Sequence, residues 1–139
     1  MSERLRLRAV YDVVLAVLAA CMQDALVTVA DMSWRAEEQR FILVANRFKW
    51  EATRAAATPF LRTLSGLTIE GVTAARRQGI DPQNPEAILS LLTLRPVDGA
   101  IELTFAGGRA LRLETPEIRV RLEDFGEEWP ALWRPRHER

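Results

Sequence analysis

Ten consecutive apolar residues, Val13 to Met22, run between Asp12 and Gln23. That is about half of the roughly 20 residues a helix needs to cross a bilayer, so the segment must either be covered by protein or serve as a leader. Arg4, Arg6 and Arg8 precede it, and it ends in Leu18-Ala19-Ala20-Cys21, which has the form of a bacterial lipoprotein cleavage site. Cleavage there would leave Cys21 as an acylated first residue on a membrane. Asp12 argues against this, because it leaves only Val13 to Leu18 as an uninterrupted core before the site, shorter than a signal segment requires. The simpler reading makes Asp12 an N-cap, Val13 to Gln23 a helix buried on most of its surface, and Cys21 a small core residue. It predicts a cytoplasmic protein with no membrane attachment.

The 139 residues, 48% apolar and 27% charged, suit a single domain over residues 1–139, with residues 130–139 as a surface tail. One Cys cannot close an internal disulfide, and one His cannot build a His-rich metal cage or a choice of imidazole bases. Zinc folds and Cys/His hydrolase triads are therefore excluded, and no cofactor is expected. Nineteen cations balance nineteen carboxylates, so any electrostatic function must come from local patches. Eighteen of the cations are Arg, with Lys49 the exception; coding bias explains that skew more simply than guanidinium chemistry.

After the helix, Leu26 to Val29 and Met32 to Trp34 read as a strand, and Phe41 to Ala45 as a central strand covered on both faces, the pair forming an antiparallel hairpin. Residues 46–58 lose the alternation. Phe60, Leu61 and Leu64 predict a short strand ending at Gly66, and Leu67, Ile69, Val72 and Ala74 a longer one in which Gly71 marks a bulge or a close backbone approach. Gly79 to Pro85 is a loop. Ala87 to Leu94 predicts a second buried strand. Asp98-Gly99 and Ala106-Gly107-Gly108 then turn the chain through a three-stranded meander. Thr115-Pro116-Glu117, followed by Gly126, has the capping signals of a helix, although Ile118, Val120 and Leu122 also alternate as in a strand. The expected architecture is α+β: an N-terminal buried helix, about seven mostly antiparallel strands and a C-terminal helix, with a pleckstrin-homology-like barrel or sandwich as the candidate topology.

No nucleophile motif is present, since Ser33, Ser65 and Ser90 lack a GxSxG setting. Phe105-Ala106-Gly107-Gly108-Arg109 reads as a hairpin turn, because a phosphate loop needs a following helix and here a strand follows. The segment with the most binding chemistry is Asn46-Arg47-Phe48-Lys49-Trp50, where cations and aromatic rings adjoin. With Arg76 and Arg77 it supplies the candidate ligand- or partner-binding residues Asn46, Arg47, Lys49, Trp50, Arg76 and Arg77. Residues 35–77 hold eight cations against four carboxylates, and residues 114–128 hold six carboxylates against two cations. The simplest account packs the acidic segment against the basic one inside a single molecule; the alternative uses the same dipole between subunits.

Gln23-Asp24-Ala25, Arg40-Phe41, Asn46-Arg47-Phe48 with Trp50-Glu51, Leu89 to Leu92, Phe105 to Gly108, and Leu122 with Asp124 together resemble the alphaproteobacterial domain of unknown function 2948 over nearly the whole chain. The resemblance supplies no activity and no catalytic residues; it implies a stand-alone cytoplasmic bacterial protein whose apolar N-terminal segment belongs to the domain. The residues themselves favour a non-catalytic protein-binding or adaptor module, with self-association as one form of that work. The alternative is a binder of RNA or a phosphorylated ligand through a basic, aromatic-containing face. An enzyme working through carboxylates ranks third.

Overall fold

The computed structural model of the chain describes residues 4–49, 61–125 and 129–130. Alternation of apolar and polar side chains dominates them, and it builds ten strands: β1 (Arg6–Ala9), β2 (Leu26–Arg35), β3 (Arg40–Phe48), β4 (Leu61–Glu70), β5 (Ala74–Gln78), β6 (Ile88–Val97), β7 (Ala100–Phe105), β8 (Arg109–Glu114), β9 (Val120–Asp124) and β10 (Trp129–Pro130). They form one sheet in the order β1-β9-β4-β3-β2-β6-β7-β8-β5, with β10 paired to the start of β4. Every pairing is antiparallel. The sheet folds around a core that includes Leu43, Leu67, Ile69, Leu91, Ile101, Leu103, Leu113 and Leu122.

The single α-helix among the described residues, α1, spans Asp12–Cys21 and packs against β1 and β6. Asp12 is not its N-cap. Tyr11 occupies that position in extended conformation and makes no capping bond, while Asp12 lies in the first turn, where its charge complements the helix dipole. The helix is also far less enclosed than expected: Leu15 and Leu18 are buried, but Val13 is 71% and Val17 52% exposed. Its C-terminal end is tied down by Asp24, whose left-handed backbone (φ 64°) is tolerated in Asp better than in most residues. The Asp24 N–H donates to the Leu91 carbonyl at 2.9 Å, and the Leu91 N–H to the Ala25 carbonyl at 2.9 Å.

The β2–β3 hairpin and the β6–β7–β8 meander stand as expected, with turns at Asp98-Gly99 and Ala106 to Gly108. Gly99, Gly107 and Gly108 all have positive φ, which glycine adopts without a Cβ penalty. Other expectations need correction. Gly66 ends no strand, because β4 runs through it to Glu70, and Gly71 (φ 74°) is the turn after β4. Within the Phe41–Ala45 run of β3, Phe41, Leu43 and Ala45 are buried, while Ile42 and Val44 are half-buried. On β6, Leu89, Leu91 and Leu94 are buried, whereas Ile88 and Leu92 are exposed. Leu92 faces outward by ordinary alternation from Leu91, and the register irregularity between Leu91 and Thr93 shifts the parity so that Leu94 returns to the core.

Among the described residues the expected C-terminal helix is not found: residues 120–124 form β9, inserted between β1 and β4. The Thr115 hydroxyl donates to the Glu117 carbonyl at 2.7 Å and the Thr115 N–H to the Gly99 carbonyl at 2.9 Å, so this threonine closes a turn. Val120 and Leu122 are buried, the alternation of a strand. The strand count rises from about seven to ten, partly because Leu5, Leu7 and Ala9 alternate with the basic residues of β1. Among the described residues no helix follows β9, so the pleckstrin-homology-like topology is not seen there. Residues 131–139 of the expected tail lie outside the described residues.

Candidate functional site

The sequence-predicted site residues separate into two places. On β3 the inward positions are Phe41, Leu43, Ala45 and Arg47, and Lys49 continues the parity just beyond the strand. Arg47 and Lys49 are consequently 0% and 1% exposed, so they do not form the solvent-facing basic patch expected of them. Arg47 reaches Asp124 on β9 through a two-pronged contact, Nε to Oδ1 at 3.0 Å and Nη2 to Oδ2 at 2.9 Å. The same guanidinium donates to the Ser65 hydroxyl at 3.0 Å and the Phe48 carbonyl at 2.9 Å. Ser65 donates to Asp124 Oδ1 at 2.5 Å, the Leu5 N–H donates to Oδ2 at 2.8 Å, and Lys49 Nζ lies 4.0 Å from Oδ2. Burial pushes the Asp124 carboxyl upward, but the hydrogen bonds from Arg47, Ser65 and Leu5, with the Arg47 charge, hold it below the usual carboxylate range.

Asn46, on the half-buried face of β3, accepts Arg62 Nε at 2.6 Å on its side chain and Arg62 Nη2 at 2.9 Å on its carbonyl. The Arg62 guanidinium lies 3.9 Å from the centre of the Phe48 ring, a cation–π contact. These bonds join β3 to β4. Trp50 lies outside the described residues.

Arg76 and Arg77 are on β5, the strand that ends the sheet order opposite β1. Successive strand residues face opposite ways. Arg76 pairs with Glu114 at 3.6 Å, whereas Arg77 stands at the rim of a groove of about 230 Å³. That groove, missed by the sequence reading, is walled by Met32 and Trp34 of β2, Phe41 of β3, Leu111 of β8 and Ile80 of the loop after β5. Its residues come from five segments, so no local motif could announce it. Arg77 makes no ion pair among the described residues, in contrast to Arg35, Arg40, Arg47, Arg76 and Arg112.

The basic and acidic segments therefore meet within one chain: Arg47 and Lys49 with Asp124, and Arg76 with Glu114. Among the described residues no three His, Cys, Asp or Glu side chains gather where they could hold a metal ion. No helix there is long and apolar enough to cross a membrane.

Residues 5–137 match the model of a family described as a protein of unknown function (DUF2948). The chain belongs to this family. No curated protein and no solved structure matches it. For this DUF2948 member, chemistry must be inferred from its surfaces, and besides the groove one other stands out. The outward positions of α1 are Asp12, Val13, Ala16, Val17 and Ala20, preceded by Val10 (49% exposed) and Tyr11 (69%).

Proposed function

We propose that the protein is a cytoplasmic, non-catalytic protein-binding module that acts through the outer face of α1, and that a second copy of the chain is its partner. The observation that carries this reading is the composition of that face. A surface helix ordinarily turns charged residues to water; here Val13, Ala16, Val17 and Ala20 occupy those positions and Asp12 alone is polar. Contiguous exposed apolar surface of this kind is characteristic of interaction sites.

A second copy fits on two counts. Valines and alanines alternate along the face, so two helices crossing about a two-fold axis can set each valine against the other's alanine. The formal charge of zero leaves little repulsion between copies. The burial of Arg47 and Lys49 weighs against the alternative of a basic, aromatic RNA-binding face, which required both in solvent.

Sedimentation velocity across a wide concentration range tests the proposal. The expected result is a concentration-dependent dimer that Val13→Lys with Val17→Lys converts to monomer. Because both side chains are exposed in the single chain, the variant should still melt cooperatively, its midpoint falling only by the concentration-dependent stabilisation that the dimer supplied. A wild-type protein that remains monomeric into the high micromolar range overturns it.

A further inference from the structure

The groove at the β5 edge has a composition that selects a ligand class. Trp34 and Phe41 present aromatic surface, Met32, Ile80 and Leu111 aliphatic surface, and among the described residues Arg77 is the one cation that lines it. We propose that this groove is a binding site for a small apolar acid: a short acyl or aryl body in the groove and a single carboxylate on the Arg77 guanidinium. The groove shares no residue with the outer face of α1, so this inference stands independently of self-association.

Three observations narrow the class. A volume of about 230 Å³ falls below the ~300–1,000 Å³ that holds drug-sized ligands, which favours a small ligand body over a nucleotide or large cofactor. One guanidinium matches one carboxylate, two N–H donors to two oxygens, whereas a phosphate group carries more charge than a single cation neutralises. Arg77 also lacks a carboxylate partner among the described residues, although its neighbour Arg76 has Glu114. The carboxylate nearest in sequence, Asp81 beside the groove residues Ile80 and Pro82, accepts the Gln83 N–H at 2.9 Å. The competing explanation is that the Arg77 stem merely covers apolar surface while its head remains hydrated.

Titration of the isotopically labelled full chain, followed by NMR, separates the two. The probes are octanoate, octanamide, and a short peptide ending in leucine with a free carboxylate. Octanoate should shift the Trp34 and Ile80 signals saturably, and octanamide, with the same body but no charge, should bind about tenfold more weakly, the worth of a charge-assisted bond. Arg77→Gln should erase that preference, and Arg76→Gln, which alters an adjacent charge on the opposite face, should preserve it. Equal binding of acid and amide, equal losses in the two variants, or no saturable shift overturns the proposal. Tighter binding of the peptide than of octanoate overturns the assignment to a free acid.

Discussion

Asp124 carries an unusual share of the structure for one exposed-type side chain. It accepts bonds from Arg47, Ser65 and the Leu5 N–H inside the protein, and its removal takes the two-pronged carboxylate partner from a guanidinium that has no exposure at all. Deleting one partner of a buried pair costs about 3–5 kcal/mol, so Asp124→Ala should lose that much in denaturant unfolding. The carboxyl is held below its ordinary range in the folded protein. Its contribution is thus complete above the unfolded value near ~3.9 and disappears as pH falls through the lower folded value. Asp124→Asn should therefore flatten the dependence of stability on pH below about 4, measured as melting temperature against pH; an unchanged acid limb would refute the linkage. Gly71 gives a second residue-level expectation. Its φ is 74°, and an added Cβ would meet Arg119 Nη2 at 3.0 Å. Gly71→Ala should cost about 1 kcal/mol or more, read as a lowered denaturation midpoint.

At the scale of elements, local signals were legible and distant ones were not. The Asp98-Gly99 and Ala106 to Gly108 turns were readable because their chemistry is contained in a few adjacent residues. Arg47 was misplaced although its parity with Phe41, Leu43 and Ala45 pointed inward, since a charge is admissible there only with a partner, and that partner lies 77 positions away. β9 was obscured by Thr115-Pro116-Glu117, whose turn chemistry is shared with helix starts; Val120 and Leu122 side with the sheet because β1 and β4 flank them. A strand paired on both sides cannot lose an N–H cheaply. Arg121→Pro in β9 should accordingly abolish the cooperative melt, while Arg77→Pro in the terminal strand β5 should do less damage. The pair can be compared by circular dichroism against temperature.

Across the whole molecule, β1 pairs with β9, and Leu5 bonds to Asp124 across 119 positions. Non-local pairing of this kind places folding in the millisecond-to-second range typical of antiparallel β proteins. Stopped-flow refolding should show such a phase, and microsecond refolding would contradict the topology. Removing residues through Ala9 should slow refolding little if β1 docks late, yet accelerate unfolding, because bonds made after the barrier act on the unfolding rate.

The same closure sets a schedule for synthesis. β1 leaves the ribosome first, and its partner strand emerges more than a hundred residues later. Until β6 follows, the inner side of α1, with Leu15 and Leu18, lacks one of the two strands it rests against.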